Sequence, residues 1–176
     1  LHFFVKEVKE YKVSGMKFSD YTLAAQPLNG KEVTVRLRLS PNGKGHRVLI
    51  LSLYDDLAYN EGLHNVVRDD TKKFVVDDTH GDDDPSNDTH DEFWRVGDVG
   101  ISYNAVVKTL SDDDGNGRVD ADEVKSSQIE FWDYSRMTKI DGVDEEQFLF
   151  VEMDKKTGWF QLWLGKEIDS QNVDVI

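Results

Sequence analysis

Alternation of apolar and polar residues runs through much of this chain, and it predicts strands. From Lys31 to Leu39, the residues Val33, Val35, Leu37 and Leu39 share one face, and Thr34, Arg36 and Arg38 share the other. This is the pattern of a half-buried antiparallel strand, with an apolar face on the core and a polar face in water. Pro41 to Gly45 follows as a hairpin loop, and Arg47 to Tyr54 returns as a more deeply buried strand. Before them, Phe3-Phe4-Val5 with Val8, Tyr11 and Val13 predicts a strand over His2–Val13. Met16 to Leu28 alternates weakly between the turn signals Ser14-Gly15 and Pro27-Leu28-Asn29-Gly30.

Further along, Lys73–Val76, Phe93–Val96 and Ile129–Tyr134 read as short strands. Between Asp55 and Asp70, Leu57, Leu63, Val66 and Val67 fit either a short helix or an irregular loop. The last third is a hairpin. Gln147–Met153 and Trp159–Leu164 flank the glycine-containing loop Asp154–Gly158, and a polar, mobile tail is expected over 166–176. The pattern predicts one mainly β domain over 1–176, an antiparallel sandwich or barrel.

One stretch breaks the pattern. Asp112-Asp113-Asp114-Gly115-Asn116-Gly117-Arg118-Val119-Asp120-Ala121-Asp122-Glu123 places side-chain oxygens first, third and fifth (Asp112, Asp114, Asn116) and a glycine sixth. The seventh residue, Arg118, needs only its carbonyl. Asp120 stands ninth, where a ligand often acts through water, and Glu123 twelfth, where two oxygens close the shell. This stretch resembles the calcium loop of an EF-hand. The resemblance implies Ca2+ bound by Asp112, Asp114, Asn116, Arg118, Asp120 and Glu123. Magnesium fits worse, because it demands near-ideal octahedral geometry.

The resemblance also implies flanking helices. Tyr103, Val106, Val107 and Leu110 recur at helical spacing and predict an incoming helix over Ser102–Leu110. An outgoing helix is expected from Ala121 to about Ser127. The fold expected is therefore a β domain with an EF-hand-like insertion at about 101–130. There is no second EF-hand loop, so paired-EF-hand functions do not carry over. Val119, at the position that normally pairs with a partner loop, is left to pair within the chain or across a dimer.

Charge sharpens this picture. The net charge is −14, and Asp77–Glu92 holds eight acids with no Lys or Arg. The calcium loop holds six acids and one Arg. Nearly all the net charge thus sits in two patches on an almost neutral body, which favours cations and disfavours nucleic acid and anionic membranes. The acidic loop 77–92, with His80 and His90, is either a second, non-EF calcium site or a solvated loop. Asn87 stands there where an EF-hand needs glycine, and Phe93 where it needs glutamate.

The remaining chemistry is sparse. No run approaches a membrane span of about 18 apolar residues. The absence of cysteine excludes disulfides and thiolate chemistry. Leu at position 1 points to a processed or trimmed chain, and Asn87-Asp88-Thr89 is a glycosylation triplet consistent with secretion. HExxH, G-x-S-x-G and Walker patterns are absent. Asp133 and Glu130, beside Trp132, are the least arbitrary carboxylate pair. Trp132, Tyr134, Trp159, Phe160 and Trp163 either pack the core or offer a surface on which a sugar stacks. Trp159 and Trp163 are expected on one strand face, with one of them exposed.

Together these features predict a secreted calcium-binding β module with structural calcium and a glycan or protein ligand. The alternatives are a carbohydrate-active hydrolase or lyase with structural calcium, and an intracellular calcium sensor.

Overall fold

A computed structural model describes residues 3–25, 29–30, 33–42, 45–78, 86, 89–96 and 102–169. It contains two four-stranded antiparallel meanders. The first is β1 (Phe4–Val13), β2 (Met16–Ala25), β3 (Val33–Asn42) and β4 (Gly45–Leu57). The chain then crosses through α1 (Glu61–Val67), β5 (Lys73–Asp78) and β6 (Thr89–Arg95). The second meander is β7 (Tyr103–Ser111), β8 (Val124–Ile140), β9 (Val143–Asp154) and β10 (Phe160–Ile168). β1 pairs with β7 and β4 with β10, so the two meanders close into an eight-stranded antiparallel barrel.

The crossing segment lies on the outside. β6 pairs with β8 only at Trp94–Ser135 and Arg95–Tyr134, beyond the point where β7 ends its pairing with β8. Asn60 caps α1, accepting from the Leu63 N–H at 2.8 Å. Val67, Phe74, Val76 and Phe93 of this layer pack on the outward side chains Trp132, Tyr134, Leu149, Val151 and Phe160. Strands β8 to β10 are therefore buried on both faces, which explains their nearly continuous apolar runs. The core aromatics Trp132, Tyr134 and Phe160 are fully buried here, so they are packing residues.

Three expectations about element type and extent are corrected. First, Ser102–Leu110 does not form a helix. The residues from Tyr103 form β7, with Tyr103, Ala105 and Val107 turned inward at a period of two. The helical spacing coexisted with this alternation, and two hydrogen-bonded neighbours, β1 and β8, together with the β-branched Val106, Val107 and Thr109, decide for the strand. Second, the outgoing helix over Ala121–Ser127 is a single 3-10 turn, Ala121–Glu123, after which Val124 enters β8. The insertion at 101–130 is thus strand–loop–strand. Third, the tail begins later than expected, because Lys166, Glu167 and Ile168 pair with β4. Residues 170–176 lie outside the described residues.

Residues 135–146 hold the β8–β9 hairpin. Asp141 and Gly142 both take positive φ, 51° and 79°, as a two-residue type I′ turn requires.

The most consequential difference concerns β3. Its charged face does not meet water. Arg36 and Arg38 are only 3% and 4% exposed and point into the barrel, while Val35, Leu37 and Leu39 face outward, half-buried. Pairing makes this tolerable. Arg38 grips Asp20 of β2 through Nε (2.8 Å) and Nη2 (2.9 Å), and its Nη2 also donates to Glu152 Oε1 of β9 at 3.0 Å. Tyr11 of β1 donates to the same oxygen at 3.0 Å. The Arg38 guanidinium is stacked among Phe18, Phe150 and Tyr11, and the Arg36 guanidinium lies 3.7 Å from the Trp163 ring centroid. Burial lowers the Arg38 pKa, but Asp20 and Glu152 outweigh it and hold the cation well above its usual range. Burial, then Glu152, raises Tyr11 well above the usual phenol value.

Candidate metal centre

The loop 112–123 joins the end of β7 to the start of β8, two adjacent barrel strands whose last pair is Leu110–Val124. Its path follows from its side chains. Asp112 accepts from the Asn116 N–H (3.0 Å) through Oδ1 and from the Gly117 N–H (2.7 Å) through Oδ2. Gly115 and Gly117 supply φ of 72° and 81°, a left-handed curl that residues with a Cβ resist. Asp114 accepts from the Asn116 N–H (3.1 Å) and from its amide Nδ2 (2.9 Å). These bonds turn successive acids toward the inside of the curl.

Glu123 closes the loop from the other side. It is 6% exposed and accepts from the backbone N–H groups of Asp113, Asp114 (3.3 Å) and Asp120 (3.0 Å). With Asp120 it forms a capping box on the 3-10 turn. One buried carboxylate thus organises both ends of the loop.

The oxygens of Asp112, Asp114 and Glu123 lie within 4.8 Å of one another, and so do those of Asp120, Asp122 and Glu123. A calcium–oxygen distance of about 2.3–2.6 Å places ligands on opposite sides of an ion about 4.6–5.2 Å apart, so one cation could reach all three residues of either group. Backbone N–H donors to Asp112, from Gly117 first, hold its pKa below the usual carboxylate value and keep it ionised.

Of the six residues predicted to hold the ion, Asp112, Asp114 and Glu123 are brought together directly. Asp120 shares the second group, and Asn116 Nδ2 reaches toward both Asp114 and Asp120 (2.9 and 3.4 Å). The Asn116 oxygen accepts from the Arg118 N–H at 2.8 Å. No described side chain pairs with that of Arg118. Asp122, like Asp113, is an acid the motif did not assign. Its place beside Glu123 in a one-turn 3-10 segment brings it to the second group. Val119 is 42% exposed, with no neighbouring loop to pair with among the described residues.

The other candidates separate. Asp133 and Glu130 sit on opposite faces of β8. Asp133 is cross-strand from Phe150 on the luminal side, and Glu130 from Met153 on the outer side, where it accepts from Ser102 Oγ at 2.6 Å. They do not flank one cleft. In the acidic segment, His80 and residues 79–85 and 87–88 lie outside the described residues. Of those described, Asp77 hydrogen-bonds His90, Asp91 pairs with Arg136 at 2.9 Å and Glu92 with Lys73 at 3.2 Å. Trp159 is 46% exposed and Trp163 is half-buried, both on the luminal side. No family model, curated protein or solved structure matches the chain.

Proposed function

We propose that this chain is a calcium-binding, extracytoplasmic β-barrel module in which the ion is structural and a glycan or protein is the ligand. The observation that carries the calcium reading is the convergence of Asp112, Asp114 and Glu123 oxygens within 4.8 Å in a loop with the EF-hand pattern. Without an ion, six acids and one Arg crowd a single turn of chain. Bound calcium offsets that repulsion and fixes the connection between two barrel strands.

The strand flanks favour a structural role over a sensor. A sensor EF-hand works by reorienting helices. Here β7 is hydrogen-bonded to β1 and β8, and β8 to β7 and β9, so the ion has no free lever to move. Extracellular modules that bind calcium structurally do so at about 10⁻⁴–10⁻³ M, which suits a calcium-rich compartment.

Thermal unfolding tests this. Calcium at about 100 times its Kd stabilises by about 2.7 kcal/mol, equivalent to about 5–10 °C in a domain of this size. The melting temperature is expected to rise by that amount with calcium over chelator, and the rise is expected to vanish in Glu123→Gln. Equal melts in calcium and chelator would overturn the structural role.

A further inference from the structure

We propose that the lumen of the barrel, at the end carrying the metal loop, binds the terminal sugar ring of a glycan. The inference rests on the binding-module reading above and is independent of the calcium site. An eight-stranded barrel has an interior just wide enough to be filled by side chains or to hold one small ligand. In this barrel the filling stops short. The buried Arg38 guanidinium packs against the rings of Phe18 and Phe150 inside the barrel. Above Tyr11 and Glu152 a cavity of about 220 Å³ opens. It lies among β1, β7, β8, β9 and β10, beside the turn Asp154–Trp159.

Volume and the open hydrogen-bonding groups of the wall select the ligand. The cavity is smaller than the roughly 300–1,000 Å³ that holds drug-sized molecules, so it suits one ring. Its wall carries Lys9 against two acids that already have partners, Glu152 accepting from Arg38 and Tyr11 and Asp154 from the backbone N–H groups of Lys156 and Thr157, so charge alone does not select an ion. The side chains of Gln161 and Ser127 line it and have no hydrogen-bond partner among the described residues. An amide and a hydroxyl both donate and accept, which matches the dual character of sugar hydroxyls. Trp159 stands at the rim, 46% exposed, and its indole N–H is held by Asp56 of β4. A tryptophan held in place in this way presents an apolar ring face to the C–H side of a pyranose. Arg38 and Tyr11, both bonded to Glu152 Oε1, fix the floor before any ligand arrives.

The test is titration of the full chain, in calcium, with methyl glycosides of glucose, galactose, mannose and N-acetylglucosamine, followed by calorimetry and by tryptophan fluorescence. Saturable binding of at least one glycoside is expected, with a Kd of about millimolar for a single ring. Gln161→Leu and Trp159→Phe are expected to weaken it about tenfold each while keeping the wild-type melt and calcium response. Absence of saturable binding by all four glycosides to folded wild type would overturn the proposal, as would binding that both variants leave unchanged. Loss of the calcium-dependent melt with glycoside binding intact would refute the calcium reading alone.

Discussion

Arg38→Met is expected to destabilise the barrel by about 3–5 kcal/mol, the cost of leaving buried charge without its partner. Asp20 is 1% exposed and Glu152 7%, and both depend on this guanidinium. Arg36 cannot replace it, since it reaches Asp20 at 3.3 Å and Glu152 at 3.8 Å through a single nitrogen. Domains of this kind have a total stability of about 5–15 kcal/mol, so the loss is a large share. Adding Asp20→Asn to Arg38→Met is expected to restore part of it, because one of the two orphaned charges is then removed. Arg36→Met is expected to cost less than Arg38→Met. Denaturant unfolding followed by tryptophan fluorescence ranks the three. Equal losses for Arg36→Met and Arg38→Met would show that the network is not centred on Arg38.

Asp133→Asn is expected to remove a pH-dependent penalty. Asp133 faces the lumen on β8, and its Oδ1 is buried with no hydrogen-bond partner among the described residues. Burial raises its pKa from 3.8 to about 6; Glu152 and Asp20 act in the same direction, and Arg38 opposes them. Arg36 and Tyr11 belong to the same buried network. A carboxyl whose pKa is raised in the folded state stabilises the protein, relative to its ionised form, below the unfolded value. That advantage is lost as pH rises through about 6. The wild-type chain is therefore expected to lose about 2 kcal/mol relative to Asp133→Asn between about pH 4.5 and 7.5. The measurement is the difference in unfolding free energy between the two proteins across that range, in chelator, so that the metal loop contributes equally to both. A difference that does not change with pH would contradict the assignment.

The strands were legible where their environment was simple. β1, β2, β4 and the β9–β10 hairpin followed from alternation and turn residues, and the convergence of Asp112, Asp114 and Glu123 followed from spacing. The sidedness of β3 was not legible. Alternation says which residues share a face, but not which face is inside. The inward face is charged here because Asp20, Glu152 and Tyr11 come from three other strands to meet it, and no local pattern records that convergence. β7 was misread because Tyr103–Leu110 satisfies both periods, and the choice lies in its hydrogen-bonded neighbours. The Asp141-Gly142 hairpin was legible in principle, since Asp-Gly is a strong short-range hairpin signal. In the loop 112–123, position alone pointed to the cluster of Asp112, Asp114 and Glu123. Asp122 needed the 3-10 turn that brings it alongside Glu123.

The calcium reading rests on Glu123, which joins both carboxylate groups and accepts from backbone N–H groups at both ends of the loop. Calorimetric titration of the chelator-stripped chain with calcium tests it most directly. The expected result is saturable binding at one ion per chain, abolished in Glu123→Gln and strongly weakened in Asp112→Asn, with magnesium failing to compete at equal concentration. Absence of saturable calcium binding, or a Glu123→Gln titration that matches wild type, would contradict it.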